Sequence, residues 1–151
     1  MAYLAQITYT ANPNFVIGVN DLSTGGSNVV LLDLSTKPSL DLYHWTIQDD
    51  YTIALYSAGN TLIMDCGNFA DYSPFGLANY DRNKVTKTQQ WNIQPPYIQN
   101  LNNNYRIDNN ERIQQNNNQI QAYEPTGSEA QMWTVLPLSG VFLKARAPTN
   151  R

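Results

Sequence analysis

The chain has 151 residues, enough for one ordinary domain with a substantial core, and a formal net charge of −3 at pH 7. Charged residues make up only 14% of it, so it has no basic footprint for nucleic acid, and we expect no nucleic-acid partner. The single cysteine, Cys66, excludes an intramolecular disulfide framework.

The N-terminal segment, MAYLAQITYT, has no basic stretch followed by a long apolar run, so it predicts no secretory signal peptide. No part of the chain approaches the roughly 18 consecutive apolar residues that a membrane-spanning helix needs. We therefore expect no insertion into membranes. The expected location is cytoplasmic, or outside the cell after release without a cleavable signal peptide.

Short alternating apolar runs separated by turn residues follow along the chain, which predicts strands rather than helices. The predicted strands fall into three groups of four: 5–9, 15–19, 29–34 and 43–47; then 52–56, 61–66, 77–80 and 89–93; then 97–99, 105–108, 119–123 and 131–135. We predict a single domain over 1–151, with repeats at about 3–48, 49–95 and 96–138 and a C-terminal tail at 139–151.

The three tryptophans mark the repeat. Trp45, Trp91 and Trp133 are spaced 46 and 42 residues apart, and the last two close a Gln-x-Trp sequence that starts at Gln89 and Gln131. A period of this length indicates units that cannot bury their apolar faces alone and must stack with one another. We predict that all three tryptophans lie in the shared core, since a large aromatic residue in each unit suits a threefold core.

A carboxylate and an aromatic residue keep step with the repeat in two of the three units. Tyr80 follows Asp65 by 15 residues, and Tyr123 follows Asp108 by the same interval. In the first unit, Gly18 stands where the carboxylate would be, and the counterpart of the tyrosine, Leu32, is not aromatic. The apolar strands and the tryptophan repeat in all three units, whereas the aspartate and the tyrosine repeat in only two.

These features together resemble the ricin B-chain type of β-trefoil lectin, also called R-type, over about residues 3–138. The residues that carry the resemblance are the two Gln-x-Trp endings and the aspartates, Asp65 and Asp108, that follow apolar strands. The resemblance implies an all-β chain folded as a β-trefoil with pseudo-threefold symmetry. It also implies reversible, non-catalytic binding of glycans of the galactose or N-acetylgalactosamine type, without a cofactor or a metal.

The chemistry of such a pocket is sound on physical grounds. One face of galactose carries C–H bonds that an aromatic ring can cover, and its hydroxyls donate strong hydrogen bonds to an ionised carboxylate. A side-chain amide offers a donor and an acceptor, which matches a hydroxyl.

The resemblance implies two pockets. In the third unit it gives a hydroxyl acceptor, a polar contact, a ring platform and a supporting amide: Asp108, Gln121, Tyr123 and Gln131. In the second unit it gives the corresponding acceptor, nearby amide, platform and support: Asp65, Asn79, Tyr80 and Gln89. The first unit lacks both the carboxylate and the ring, so we predict that its pocket is lost.

Other interpretations of these residues remain open. Either aspartate is also a common turn former, and the glutamines of the Gln-x-Trp endings have backbone groups of their own unit within reach. The only histidine, His44, precedes Trp45 on a predicted strand, and no Ser–His–acid or zinc-binding spacing accompanies it. We therefore expect no enzyme activity.

Two rival functions share the expected fold. The first is a protease inhibitor that acts through an exposed loop such as 21–28 or 84–88. The second is a non-catalytic binding subunit of a toxin complex. For the lectin, one ring and a few hydrogen bonds predict weak binding, so useful avidity needs several sites per chain or a homodimer. The tail at 139–151 either covers the end of the barrel or meets another subunit.

Overall fold

The computed structural model describes residues 2–138, so the predicted tail at 139–151 lies outside the described residues. Regular structure in this range consists of strands and single-turn 3-10 helices. The strands are β1 Tyr3–Tyr9, β2 Phe15–Val19, β3 Val29–Asp33, β4 Trp45–Ile47, β5 Ile53–Leu55, β6 Leu62–Asp65, β7 Ser73–Pro74, β8 Gly76–Asn79, β9 Trp91–Gln94, β10 Tyr97–Asn100, β11 Arg106–Asn109, β12 Asn118–Tyr123 and β13 Trp133–Pro137. The 3-10 helices are Leu34–Thr36, Leu40–Leu42, Tyr56–Ala58, Lys87–Gln89, Asn110–Arg112 and Glu129–Gln131. No helix in 2–138 is long and apolar enough to cross a membrane.

Six strands form a closed barrel. β1 pairs antiparallel with β4 and with β13, β4 pairs with β5, and β9 pairs with β10. Two backbone hydrogen bonds close the remaining gaps: the Trp91 N–H donates to the Tyr51 carbonyl at 2.7 Å, and the Trp133 N–H donates to the Pro96 carbonyl at 2.8 Å. Within residues 2–138, these pairings and hydrogen bonds connect all six strands around the barrel, as a closed sheet requires.

Three hairpins cover one end of this barrel, one from each unit: β2–β3, β6–β8 and β11–β12. Contacts between units join them, because β12 pairs with β3 and also with the two-residue strand β7. A six-stranded barrel with three hairpins related by a threefold repeat is a β-trefoil, so the predicted fold is confirmed.

The tryptophans lie in the core as predicted. Trp45, Trp91 and Trp133 are all buried, and each indole N–H donates to a backbone carbonyl at 2.9–3.0 Å. The carbonyl acceptors belong to Ile17, Thr88 and Ile107. A buried indole that keeps its hydrogen bond contributes its apolar area without a desolvation cost.

The last strand of each unit starts at its tryptophan, later than the sequence pattern predicts. Gln89 and Gln131 were predicted on strands, but both end a 3-10 helix that precedes the strand. Because of this turn the two side chains point in different directions: the tryptophan enters the core, and the glutamine reaches the hairpin of its own unit.

Candidate functional site

Asp108 lies near the end of β11 with only 5% of its surface exposed. Its two carboxylate oxygens accept hydrogen bonds from different amides: Oδ1 from Gln121 Nε2 at 3.2 Å, and Oδ2 from Gln131 Nε2 at 3.0 Å. The amide oxygens are engaged elsewhere, since Gln121 Oε1 accepts from Gln119 and Gln131 Oε1 accepts from the Thr126 N–H. Neither amide can flip without losing a bond, so both keep their donors directed at Asp108.

The Gln-x-Trp ending therefore forms hydrogen bonds with two successive residues of β11. The indole N–H of Trp133 donates to the Ile107 carbonyl on the core side, and the Gln131 amide donates to the next side chain, Asp108. The second unit repeats half of this arrangement: Gln89 Nε2 donates to Asp65 Oδ2 at 3.0 Å. Each of these two glutamines therefore donates to a carboxylate and also bonds to the backbone of its own unit.

An open cavity of about 270 Å³ surrounds the outer face of Asp108. Its wall combines aromatic, charged and small polar side chains: Tyr72, Asp108, Glu111, Arg112, Gln121, Tyr123, Thr126, Ser128 and Ala130. Three of the four residues predicted for this pocket line it, and the fourth, Gln131, lies behind Asp108 as a support. Whether they bind a sugar stays a prediction.

A second ring stands beside the predicted one. Tyr72 and Tyr123 meet edge to face, with ring centroids 5.1 Å apart and an interplanar angle of 76°. Tyr72 is 57% exposed and belongs to the loop before β7 in the second unit. Sequence reasoning missed it because the repeat compares positions within units, whereas this pocket takes one ring from each of two units.

Tyr72 occupies a position that recurs in every unit. Its N–H donates to the Ala122 carbonyl, the Gly25 N–H to that of Leu77, and the Asn117 N–H to that of Leu31. All three donors have a left-handed backbone, with φ of 68° at Tyr72, 79° at Gly25 and 69° at Asn117. Glycine and asparagine adopt this conformation readily and tyrosine does not, so the ring at Tyr72 is held against a backbone preference.

The electrostatics of the pocket follow from burial. The pKa of Asp108 is raised to about 6: desolvation by burial is the largest cause, the hydrogen bonds from Gln131 and Gln121 oppose it, and the charge of Asp71 adds to it. At neutral pH, Asp108 is therefore an ionised but poorly solvated acceptor, which favours hydroxyl donors from a ligand. A hydrogen bond with Tyr72 raises the pKa of Tyr123 to about 12, so that phenol stays neutral.

In the second unit, the predicted pairing of Asp65 with Tyr80 is wrong. Asp65 lies opposite Gly76 across β6–β8, and Ile63 lies opposite Ala78. On β11–β12, Asp108 lies opposite Gln121, and Arg106 lies opposite Tyr123. Ala78 therefore occupies the position in the second unit that Tyr123 occupies in the third. Tyr80 lies beyond the end of β8, because Asp65 is only 11 positions from its cross-strand partner, whereas Asp108 is 13 positions from its own.

Tyr80 faces another part of the surface. Its hydroxyl donates to Asp50 Oδ2 at 2.6 Å, and it lines a separate cavity with Asp50 and Arg82. Asp65 and Asn79 do line one cavity, of about 320 Å³, but the rest of its wall consists of glycines, one threonine, one proline and two aliphatic side chains. The counterparts of Tyr72 and Tyr123 in that cavity are Gly25 and Ala78, so it has no ring.

In the first unit, Leu32 occupies the place that corresponds to the pocket. A Cβ at Gly18 would lie 2.3 Å from Leu32 Cδ1 and 2.7 Å from the Leu42 carbonyl oxygen. Leu32 takes the position of Tyr123 and is 4% exposed. Its side chain packs where the pocket of the third unit opens, as the loss of the carboxylate and the ring predicts.

The single histidine and the single cysteine are both buried. His44 directly precedes Trp45, the first residue of β4, and burial raises the pKa of the Cys66 thiol to about 12, which keeps it protonated and unreactive. Within 2–138, no group of three or more His, Cys, Asp or Glu side chains is placed to hold a metal ion.

No family model matches the sequence, and no curated protein matches it either. Solved structures do match in shape. The C-half of an earthworm R-type lectin in complex with GalNAc gives a TM-score of 0.73 at 14% identity over 90% of this chain and 99% of that one. The β-trefoil lectin of the Vibrio vulnificus hemolysin/cytolysin, with N-acetyl-D-lactosamine bound, gives 0.69 at 12% identity over 91% and 96%.

A designed threefold-symmetric protein, ThreeFoil, gives a TM-score of 0.70 at 16% identity over 89% of this chain and 99% of that one. At these identities the likeness establishes architecture and not ancestry or ligand. The chain is a β-trefoil whose structural neighbours include R-type lectin domains.

Proposed function

We propose that the chain binds glycans reversibly, without catalysis, through the pocket of the third unit. The ligand is a terminal galactose or N-acetylgalactosamine residue. The observation that carries this proposal is a buried carboxylate, Asp108, fixed by two amides beneath a wall of two tyrosine rings.

Each part of the pocket matches one feature of the sugar. Asp108 accepts hydrogen bonds from two adjacent hydroxyls, because its oxygens keep lone pairs beyond those that Gln121 and Gln131 use. Tyr123 covers the face of C–H bonds, and Tyr72 extends this aromatic wall. Two structural neighbours were crystallised with GalNAc and with N-acetyl-D-lactosamine, which supports sugars of this class as ligands.

Among the equivalent places on the three hairpins, the proposal uses the one where two rings stand beside the carboxylate. The cavity at Asp65 and Asn79 has a carboxylate but no aromatic wall, so we assign it no equal role. A single shallow pocket predicts weak binding, on the order of −4 to −5 kcal/mol, or about millimolar to a few hundred micromolar. Attachment to glycoproteins or glycolipids on a surface then depends on association of chains, such as a homodimer.

The test is titration of methyl galactoside into the native protein and into two variants with the same substitution, Asp108→Ala and Asp65→Ala. We expect binding to be lost in Asp108→Ala and retained in Asp65→Ala. A Tyr123→Ala variant provides a second route, since it removes the platform and leaves the Asp108 hydrogen bonds in place. Equal binding by all four proteins, or no galactoside bound by the native one, contradicts the proposal.

A further inference from the structure

The two rings of the third-unit pocket present their faces in different directions. Tyr72 and Tyr123 both line the cavity, and their planes meet at 76° with the centroids 5.1 Å apart. The flat C–H face of one pyranose can lie parallel to only one of these rings. A galactose residue that stacks on Tyr123 therefore leaves the face of Tyr72 to a different part of the ligand.

Tyr72 is the outer of the two rings. It is exposed, whereas Tyr123 is half-buried and Asp108, the hydroxyl acceptor of the proposed function, is buried. From the floor of the pocket toward solvent the order is thus Asp108, Tyr123 and Tyr72. A glycan that is bound by its terminal residue leaves the pocket in the same direction, so its second residue reaches the level of Tyr72.

The backbone holds the exposed ring of Tyr72 in place. The Tyr72 N–H donates to the Ala122 carbonyl at 3.1 Å, and the Tyr72 carbonyl accepts from Gln119 Nε2 at 3.3 Å. The preceding residue is fixed too, since Asp71 Oδ1 accepts from the Glu124 N–H at 3.0 Å. These bonds maintain a left-handed φ of 68° that tyrosine disfavours, and such strain persists only where the surrounding structure enforces it. A ring fixed in advance loses little conformational entropy when a ligand stacks on it.

The rest of the cavity wall offers a second sugar residue no aromatic surface. It consists of charged, polar and small side chains, among them Glu111 and Arg112 on the loop after β11. These groups can form hydrogen bonds with sugar hydroxyls, but the tyrosines are the residues of this wall that carry a ring to cover C–H bonds. Arg112 has the longest of the other side chains and therefore supplies the control below.

We propose that the pocket binds a galactose-terminated disaccharide more tightly than a monosaccharide, with Tyr123 stacked on the terminal galactose and Tyr72 on the pyranose linked to it. The inference rests on the proposed function and names the size of ligand that the same pocket takes. Tyr72 is then the residue that distinguishes an extended galactoside from one with a small aglycone. Its edge-to-face contact also supports Tyr123, so it contributes to monosaccharide binding as well.

The experiment titrates methyl galactoside, methyl lactoside and methyl melibioside into the native protein. The two disaccharides join galactose to a second pyranose through a β- and an α-linkage, respectively. We expect at least one of them to bind about three- to tenfold more tightly than methyl galactoside, as one added ring contact provides. If methyl galactoside binds and neither disaccharide binds more tightly, the inference fails and the proposed function stands. If no galactoside binds, the proposed function itself fails.

Two variants at position 72 test whether the ring provides this advantage. Tyr72→Asn keeps a residue that accepts the left-handed backbone, as Asn117 does, and should bind the disaccharide and methyl galactoside about equally. Tyr72→Phe keeps the ring and should retain the advantage. Arg112→Gln is the matched control, because it shortens another side chain of the cavity wall and leaves both rings in place. Persistence of the advantage in Tyr72→Asn, or an equal loss in Arg112→Gln, would place the second residue elsewhere and overturn the inference.

Discussion

At the scale of single residues, Tyr72 combines a backbone conformation that tyrosine disfavours with a ring that the proposed pocket uses. The fold needs a left-handed residue that donates its N–H to the neighbouring hairpin, and Gly25 and Asn117 do this in the other units. We expect Tyr72→Asn to change the free energy of unfolding by less than about 1 kcal/mol, because relief of backbone strain offsets the lost ring contact. Galactoside affinity should fall about fivefold or more.

Urea unfolding and ligand titration of the same variant check both parts of this prediction. Tyr72→Phe is its control, since it keeps the ring and removes only the hydroxyl. A large loss of stability in Tyr72→Asn with unchanged galactoside affinity would show that the tyrosine serves the fold and not the ligand.

The raised pKa of Asp108 gives a pH dependence with opposite signs for binding and stability. Only the ionised carboxylate accepts two hydroxyls, so galactoside affinity should fall roughly tenfold between pH 7 and pH 5, as protonation proceeds through a pKa of about 6. The charged groups near Asp108 are Asp71, Glu111 and Arg112, of which Asp71 raises its pKa.

Stability moves the other way, because the unfolded carboxyl has a pKa of about 4 and the folded one about 6. The contribution of Asp108 to stability is full below about pH 4 and is lost as the pH rises through 6. The difference in unfolding free energy between the native protein and Asp108→Asn, which cannot titrate there, should therefore grow in favour of the native protein from pH 7 to pH 4. Denaturant curves at several pH values measure it, and a constant difference would refute the assigned pKa.

At the scale of the secondary-structure elements, β6–β8 is fitted to a neighbouring loop instead of to a ligand. A Cβ at Gly76 would lie 2.4 Å from the Gly26 carbonyl oxygen and 2.7 Å from that of Gly25, and both atoms belong to backbone. We expect Gly76→Ala to destabilise the protein by about 1–3 kcal/mol, since the loop must move. Thermal unfolding measures this cost, and galactoside binding in the third unit is the control that should not change.

The hairpins also show how far sequence could predict the site. Alternation of apolar residues and the tryptophan spacing predicted most of the strands and the three repeated units, because both depend on which face of each strand is buried, whereas the β-trefoil itself came from the family resemblance. The location of Tyr80 was not predictable in this way, since the equal 15-residue spacings pass through connections of different length. Tyr72 was hidden for a related reason: it reaches the pocket through pairing between units, which a comparison of equivalent positions does not show.

At the scale of the whole molecule, the unequal units predict the valency of the chain. Leu32 occupies the pocket position in the first unit, and the cavity of the second unit has no ring. Only the third unit keeps both the carboxylate and the rings. We therefore expect titration with methyl galactoside to give one site per chain, and Asp65→Ala to leave both stoichiometry and affinity unchanged.

A monomer with one site cannot cross-link galactose-bearing beads, whereas a dimer can. The dimer fraction from sedimentation and the extent of bead aggregation should rise together when both are measured over the same range of protein concentration. If a protein that stays monomeric aggregates the beads, and Asp65→Ala abolishes that aggregation, the second-unit cavity is a working site.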